Sequence, residues 1–180
     1  MAERVNDWRT RLRWELRAAK RLFVLGVGNP DRADDGAGSR CVRLLLQRPA
    51  VRRFADGAGQ GRRAIPEKIQ AFDGGEVPES ATGIIRKFGP SHVLIIDTAS
   101  AGREPGTVFF INKKKIREDD ITTHRIPLSH LVRYLEETVG CRVILLGIEP
   151  RGLEPGKKMS RPVSQAVKAV ADTLAGLWRR

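Results

Sequence analysis

Four side chains in this sequence have the types and placement for acid–base or metal chemistry: Asp34, Asp35, Asp97 and His124. Asp34 and Asp35 close the stretch L-F-V-L-G-V-G-N-P-D-R-A-D-D-G-A-G, which runs from Leu22 to Gly38. Asp97 ends the apolar run His92 to Ile96, and His124 ends the loop Ile121-Thr122-Thr123-His124. Two carboxylates and one imidazole make an open site for a borderline divalent metal, leaving positions for water or substrate. The same set could work as an acid–base group without metal. Each residue also has an ordinary structural role open to it. Asp97 could cap a turn, Asp34 or Asp35 the following helix, and His124 could bond to backbone.

Other chemistries fit less well. The glycines after Leu25 resemble the start of a dinucleotide fingerprint, but its third glycine position is Asp31, and two more aspartates stand where a pyrophosphate would lie. Carboxylates there repel the anion, so no nucleotide is expected. Ser91, Thr123 and Ser129 each precede a histidine, but sequence neighbours seldom face each other, and no nucleophile motif surrounds them. Cys41 and Cys141 are far apart and read as buried thiols rather than a disulfide or a zinc knuckle.

The elements that must position these groups follow from periodicity. Leu22 to Leu25 is a buried strand leading through glycines into a helix from Gly36 to Gln47, which must end before Pro49. Residues 52–66 carry glycines and arginines without a period, as a long surface loop does. Lys68 to Phe72 is a short strand ending in Asp73-Gly74-Gly75, Pro78 to Phe88 a helix, and His92 to Ile96 the most apolar strand. Thr107 to Ile111 follows too closely for a helical crossover and suits an antiparallel neighbour. Lys113 to Lys115 is a charged turn, Leu128 to Val139 a helix opened by Pro127, and Cys141 to Ile148 a further buried strand. The last helix opens at Ser160, with Val163, Val167, Val170, Leu174, Leu177 and Trp178 on one face. These elements predict an α/β fold, a three-layer sandwich. Carboxyl ends of neighbouring parallel strands share one edge, so Asp35 and Asp97 converge if their strands are adjacent.

With 180 residues, 41% of them apolar, one domain is expected, and no stretch approaches a membrane span. Residues 4–20 have Val5, Trp8, Leu12 and Leu16 at helical spacing, so residues 1–20 read as a basic, amphipathic helical extension packed on the main body as an added surface element. The net charge is +12, but residues 1–21 and 151–180 supply most of it, and the body between them is balanced. Basic ends suit an acidic partner or solubility as well as RNA, so nucleic acid is not expected as the main partner. Without a membrane span or a signal-peptide core, the protein is expected to act in the cytoplasm, as a monomer.

Five separated motifs together resemble the hydrogenase maturation proteases. They are Gly26-Val27-Gly28-Asn29 with Asp34-Asp35-Gly36; Asp73-Gly74-Gly75; Asp97 with Pro105-Gly106-Thr107; Thr122-Thr123-His124; and Gly147-Ile148-Glu149-Pro150. The resemblance covers about Leu22 to Trp178. It implies a three-layer sandwich on a mixed, mostly parallel five-stranded sheet of the phosphorylase/hydrolase-like kind, with the fourth strand antiparallel. It also implies an endopeptidase, aspartic-type or metal-dependent, that removes the C-terminal extension of a nickel-iron hydrogenase large-subunit precursor after nickel insertion. Nickel, supplied by the precursor, would be read by Asp35, Asp97 and His124. The motif around His124 is most similar to the formate-hydrogenlyase and related membrane-bound subgroups. Departures are Pro30-Asp31-Arg32 in place of an apolar residue and Glu76 in place of Thr, besides the N-terminal helix and the 52–66 loop, which look like additions. They bear on which precursor docks. A non-cleaving nickel-dependent chaperone or metal-binding module remains the alternative of a different class.

Overall fold

The computed structural model describes residues 7–49, 51, 68–113 and 128–177. The loop expected over 52–66, the loop carrying His124, the end of the turn at 113–115, Val5 and Trp178 lie outside the described residues.

Five strands form one sheet: β1 (Arg21–Val27), β2 (Lys68–Gly75), β3 (His92–Thr98), β4 (Val108–Phe110) and β5 (Arg142–Ile148), in the order β2-β1-β3-β5-β4. β1 pairs parallel with β2 and β3, β3 pairs parallel with β5, and β4 runs antiparallel to β5. The short connection before Thr107 does deliver an antiparallel strand. Side-chain alternation along the strands builds two cores. Leu22, Val24, Leu94, Ile96, Ile144, Leu146 and Ile148 face one side, with α1 (Trp8–Leu16), α2 (Ala37–Leu46) and the last helix α5 (Arg161–Gly176). Phe23, Leu25, Val93, Ile95, Val143 and Leu145 face the other, with α3 (Thr82–Phe88) and α4 (Leu128–Tyr134). The result is the expected three-layer α/β/α sandwich.

Three elements differ in detail from the sequence reading. The helix after β1 begins as a tight 3₁₀ turn, Ala33–Gly36, and becomes α-helical only at Ala37. Pro78–Ala81 is likewise 3₁₀ before α3, and the end of the helix from Leu128 widens into a π turn at Leu135–Val139. The N-terminal helix packs on the main body, as its apolar spacing predicts. Leu12, Leu16 and Ala19 are at most 2% exposed and belong to the core of α2 and α5, while Arg11 stacks on Phe110 of β4 at 4.3 Å. Its polar face still meets solvent, and the exposed Trp14 carries Arg17 over its ring. Among the described residues no helix is long and apolar enough to cross a membrane.

From β1 the chain crosses through α2 to β2 on one side, then returns through α3 to β3 on the other. The boundary between β1 and β3 is therefore the switch point of the sheet, where open α/β sheets form their ligand crevice. The loops bearing Asp35 and Asp97 leave these two strands there.

Candidate active site

β1 and β3 are direct neighbours, with Gly26 opposite Ile96, so the condition for convergence of Asp35 and Asp97 is met. Two glycines allow the approach. Gly28 has φ +119, and a Cβ on it would fall 1.8 Å from the Asp35 carbonyl oxygen. A Cβ on Gly38 would lie 2.0 Å from the Ile96 carbonyl oxygen and 2.4 Å from that of Val27, so the first turn of α2 presses directly on both strand ends.

Asp35 is 5% exposed and Asp97 7%. The Asn29 N–H donates to Asp35 Oδ2 at 3.1 Å, and the Thr98 N–H donates to Asp97 Oδ1 at 2.7 Å. Asp35 sits in the 3₁₀ turn that feeds α2. A hydroxyl fastens the two loops together: Thr98 Oγ1 donates to the Asp34 carbonyl oxygen at 2.8 Å and lies 3.3 Å from that of Asp35. The residue after one candidate carboxylate thus holds the backbone that carries the other.

Asp34 has a different task. It is 1% exposed, and its carboxylate accepts from the N–H groups of Arg151 at 2.8 Å, Gly152 at 3.4 Å and Ser160 at 2.6 Å, and from the Ser160 hydroxyl at 2.9 Å. Its own N–H donates to the Gly152 carbonyl. Asp34 clips the segment 151–160 onto the loop after β1. Ser160, where α5 opens, gives its hydroxyl to Asp34 and makes no side-chain capping bond. Ala33, beside Asp34, is held at φ +45, an unusual backbone state for alanine, with its N–H on the Lys157 carbonyl.

Further residues support the edge. Glu149, 5% exposed, accepts the Ala101 N–H at 2.8 Å and orders the loop after Asp97. The Ser39 hydroxyl donates to the Gly28 carbonyl at 2.8 Å. At the end of β2, burial alone would raise the Asp73 carboxyl, yet the adjoining Ser39, Arg43 and Gly75 N–H hold it below its ordinary value. Thr98 and Ser39 have no signature beyond adjacency to the motifs. The partners of Asp34 lie over a hundred residues away, where no local pattern can register them.

His124, the third residue of the expected constellation, lies outside the described residues. Among the described residues no three His, Cys, Asp or Glu side chains form a metal-holding group. Ser91 is not near the edge. It precedes the start of β3, about 20 Å along the chain from Asp97 at ~3.3 Å per residue. Its Oγ accepts the Lys20 and Arg21 N–H groups.

The sequence profile of the HycI hydrogenase maturation proteases matches residues 59–176. The chain belongs to the hydrogenase maturation protease family. It is 34% identical over 154 residues to the hydrogenase 3 maturation protease of Escherichia coli K12, covering 85% of this chain and 88% of that one. The solution structure of the endopeptidase HycI from Escherichia coli aligns with a TM-score of 0.66 at 31% identity, over 86% of this protease and 89% of that chain. The crystal structure of the nickel-iron hydrogenase maturation protease HycI from Thermococcus kodakarensis aligns at 0.77, over 94% of this protease and 99% of that chain; at 23% identity it speaks for the fold alone.

Proposed function

We propose that this protease is an endopeptidase that removes the C-terminal extension of a nickel-iron hydrogenase large-subunit precursor after nickel insertion, with the precursor's own nickel as recognition element. The observation that carries the reading is the pair Asp35 and Asp97, nearly buried on adjacent strand ends whose backbones are joined through Thr98. In this reading both carboxylates and His124 take up open positions on the nickel that the precursor brings, and this seats the scissile peptide at the sheet edge. The donor set suits a transient site. A resident catalytic zinc usually has three strong ligands, often two histidines in a motif such as H-E-x-x-H, and no such motif exists in the sequence. Carboxylates are hard ligands for nickel and come from separate loops, so free nickel binds only modestly. A protease built this way stays idle until its substrate supplies the ion.

The test is cleavage of purified precursor with and without nickel, read by mass as loss of a defined C-terminal peptide, beside metal analysis of the protease alone. The expected result is a largely metal-free protease that cuts only nickel-loaded precursor. Stoichiometric zinc in the isolated protein, together with cutting of nickel-free precursor, would make it a conventional metallopeptidase.

A further inference from the structure

The segment 151–161 is a strap of unusual charge laid against the site. Arg151, Lys157, Lys158 and Arg161 are exposed along it, with Glu154 its single acid. Glu154 meets Lys157 only loosely, at 3.8 Å between two well-exposed side chains. The strap is held firmly. Besides the four bonds to the Asp34 carboxylate, the Ala33 N–H donates to the Lys157 carbonyl at 3.2 Å and the Gly156 N–H to the Asp31 carbonyl at 2.8 Å. These last two bonds flank Arg32 on either side and set its backbone beside that of Lys157. The Arg32 Nε is shielded from solvent and has no hydrogen-bond partner among the described residues. Arg32 as a whole is half-buried, and the planar fork of a guanidinium suits an incoming carboxylate.

We propose that Arg32 and the strap cations Lys157 and Lys158 form a docking point for an acidic segment of the substrate protein. The inference rests on the precursor-processing reading and names what the precursor must carry beside its cleavage region. The strap hangs from Asp34, the residue before Asp35, so whatever docks on it is delivered next to the candidate carboxylates. Fixed backbone lowers the ordering cost of binding, and like charges held together await an opposite one. A polypeptide fits better than a nucleic acid. It can place acidic side chains on the strap and a different chemistry at Asp35 and Asp97, whereas a continuous phosphate backbone would meet those carboxylates with like charge.

The experiment compares cleavage and direct binding of purified nickel-loaded precursor for the unaltered protein, Lys157→Glu/Lys158→Glu, Arg32→Gln, and a control pair Arg86→Glu/Lys87→Glu on the exposed last turn of α3. The strap pair should raise KM and the precursor Kd about tenfold at low salt, leave kcat in place and flatten the salt dependence of kcat/KM. Arg32→Gln should raise both constants in the same direction, and the control pair neither. Equal effects from the strap and control pairs would mean general charge rather than docking and would overturn the proposal, as would unchanged constants for the strap pair. Loss of RNA-homopolymer binding from the strap pair with precursor Kd unchanged would reassign the surface to nucleic acid. If the unaltered protein fails to cut, the processing reading fails, while the binding titration still decides the docking one.

Discussion

Ser160 gives both its N–H and its hydroxyl to the carboxylate of Asp34, at 2.6 and 2.9 Å, across 126 residues of chain. With the N–H groups of Arg151 and Gly152 on the same carboxylate, this contact fixes the entrance of α5 to the loop after β1. Asp34→Ala leaves those donors without an acceptor in a buried place and should cost about 3 kcal/mol. Asp34→Asn retains one acceptor oxygen but turns an NH₂ toward N–H groups, and should cost about 2 kcal/mol. Ser160→Ala should cost about 1 kcal/mol. Urea melts of the three variants check the order. Equal stabilities would remove Asp34 from its structural role.

Asp35→Asn, Asp97→Asn and His124→Gln should abolish precursor processing. For the two aspartates the fold should survive, because an asparagine oxygen can still accept the Asn29 or Thr98 N–H that each carboxylate now accepts. Mass analysis of the precursor and thermal melts are read together, with Tm expected within a few degrees of the unaltered protein. A collapsed melt for Asp97→Asn would make that residue structural.

Thr98→Val removes the hydroxyl that ties the end of β3 to the Asp34 and Asp35 carbonyls while keeping the side-chain shape. The stability loss should be about 1 kcal/mol. Processing should fall by at least about tenfold, since small displacements of positioned groups are expensive in rate. Thr98→Ser restores the donor and should restore most of the activity. If both variants process equally well, the hydroxyl does not set the site.

The layers were legible in the sequence because the alternation of Leu22 to Leu25 and of Val93 to Ile96, and the helical spacing of Val163, Val167, Val170 and Leu174, depend only on neighbours a few residues apart. Convergence of Asp35 with Asp97 was conditional on strand order, which local pattern does not encode; the pairing of Gly26 with Ile96 supplies it. Asp34 and Asp35 are adjacent aspartates with opposite assignments in space. Their division is set by Ser160 and Arg151, far off in sequence. The packing of the N-terminal helix was legible for the local reason: Leu12 and Leu16, one turn apart, mark its inward face, and they join a core shared with α5.

That burial changes what removal of the N-terminus does. A truncation of residues 1–20 takes Leu12, Leu16 and Ala19 out of the core. Leu12→Ala alone should cost about 3 kcal/mol, the transfer of the lost carbons plus the cavity left behind. Arg13→Glu, on the polar face, should leave stability within about 0.5 kcal/mol. Chemical denaturation separates the two. An unchanged midpoint for Leu12→Ala would return the helix to the status of a surface addition.

His92, at the end of β3 remote from Asp97, should set an acid limit to stability. Burial lowers its pKa, the nearby Arg142 lowers it further, and Glu15 of α1 works in the opposite direction. Its Nδ1 lies 3.0 Å from Ser91 Oγ. With the folded pKa below the unfolded value of about 6.5, the stabilisation is complete above pH 6.5, where both states hold a neutral ring. As pH falls below that value the unfolded chain binds a proton that the folded one refuses, and stability declines until the folded pKa is passed. The slope of unfolding free energy between pH 7 and 5.5 should therefore be positive with pH, and His92→Gln should flatten it whatever it does to absolute stability. Glu15→Gln removes the opposing charge and should steepen the same slope. Parallel pH profiles for the unaltered protein and His92→Gln would show that another group carries the acid sensitivity.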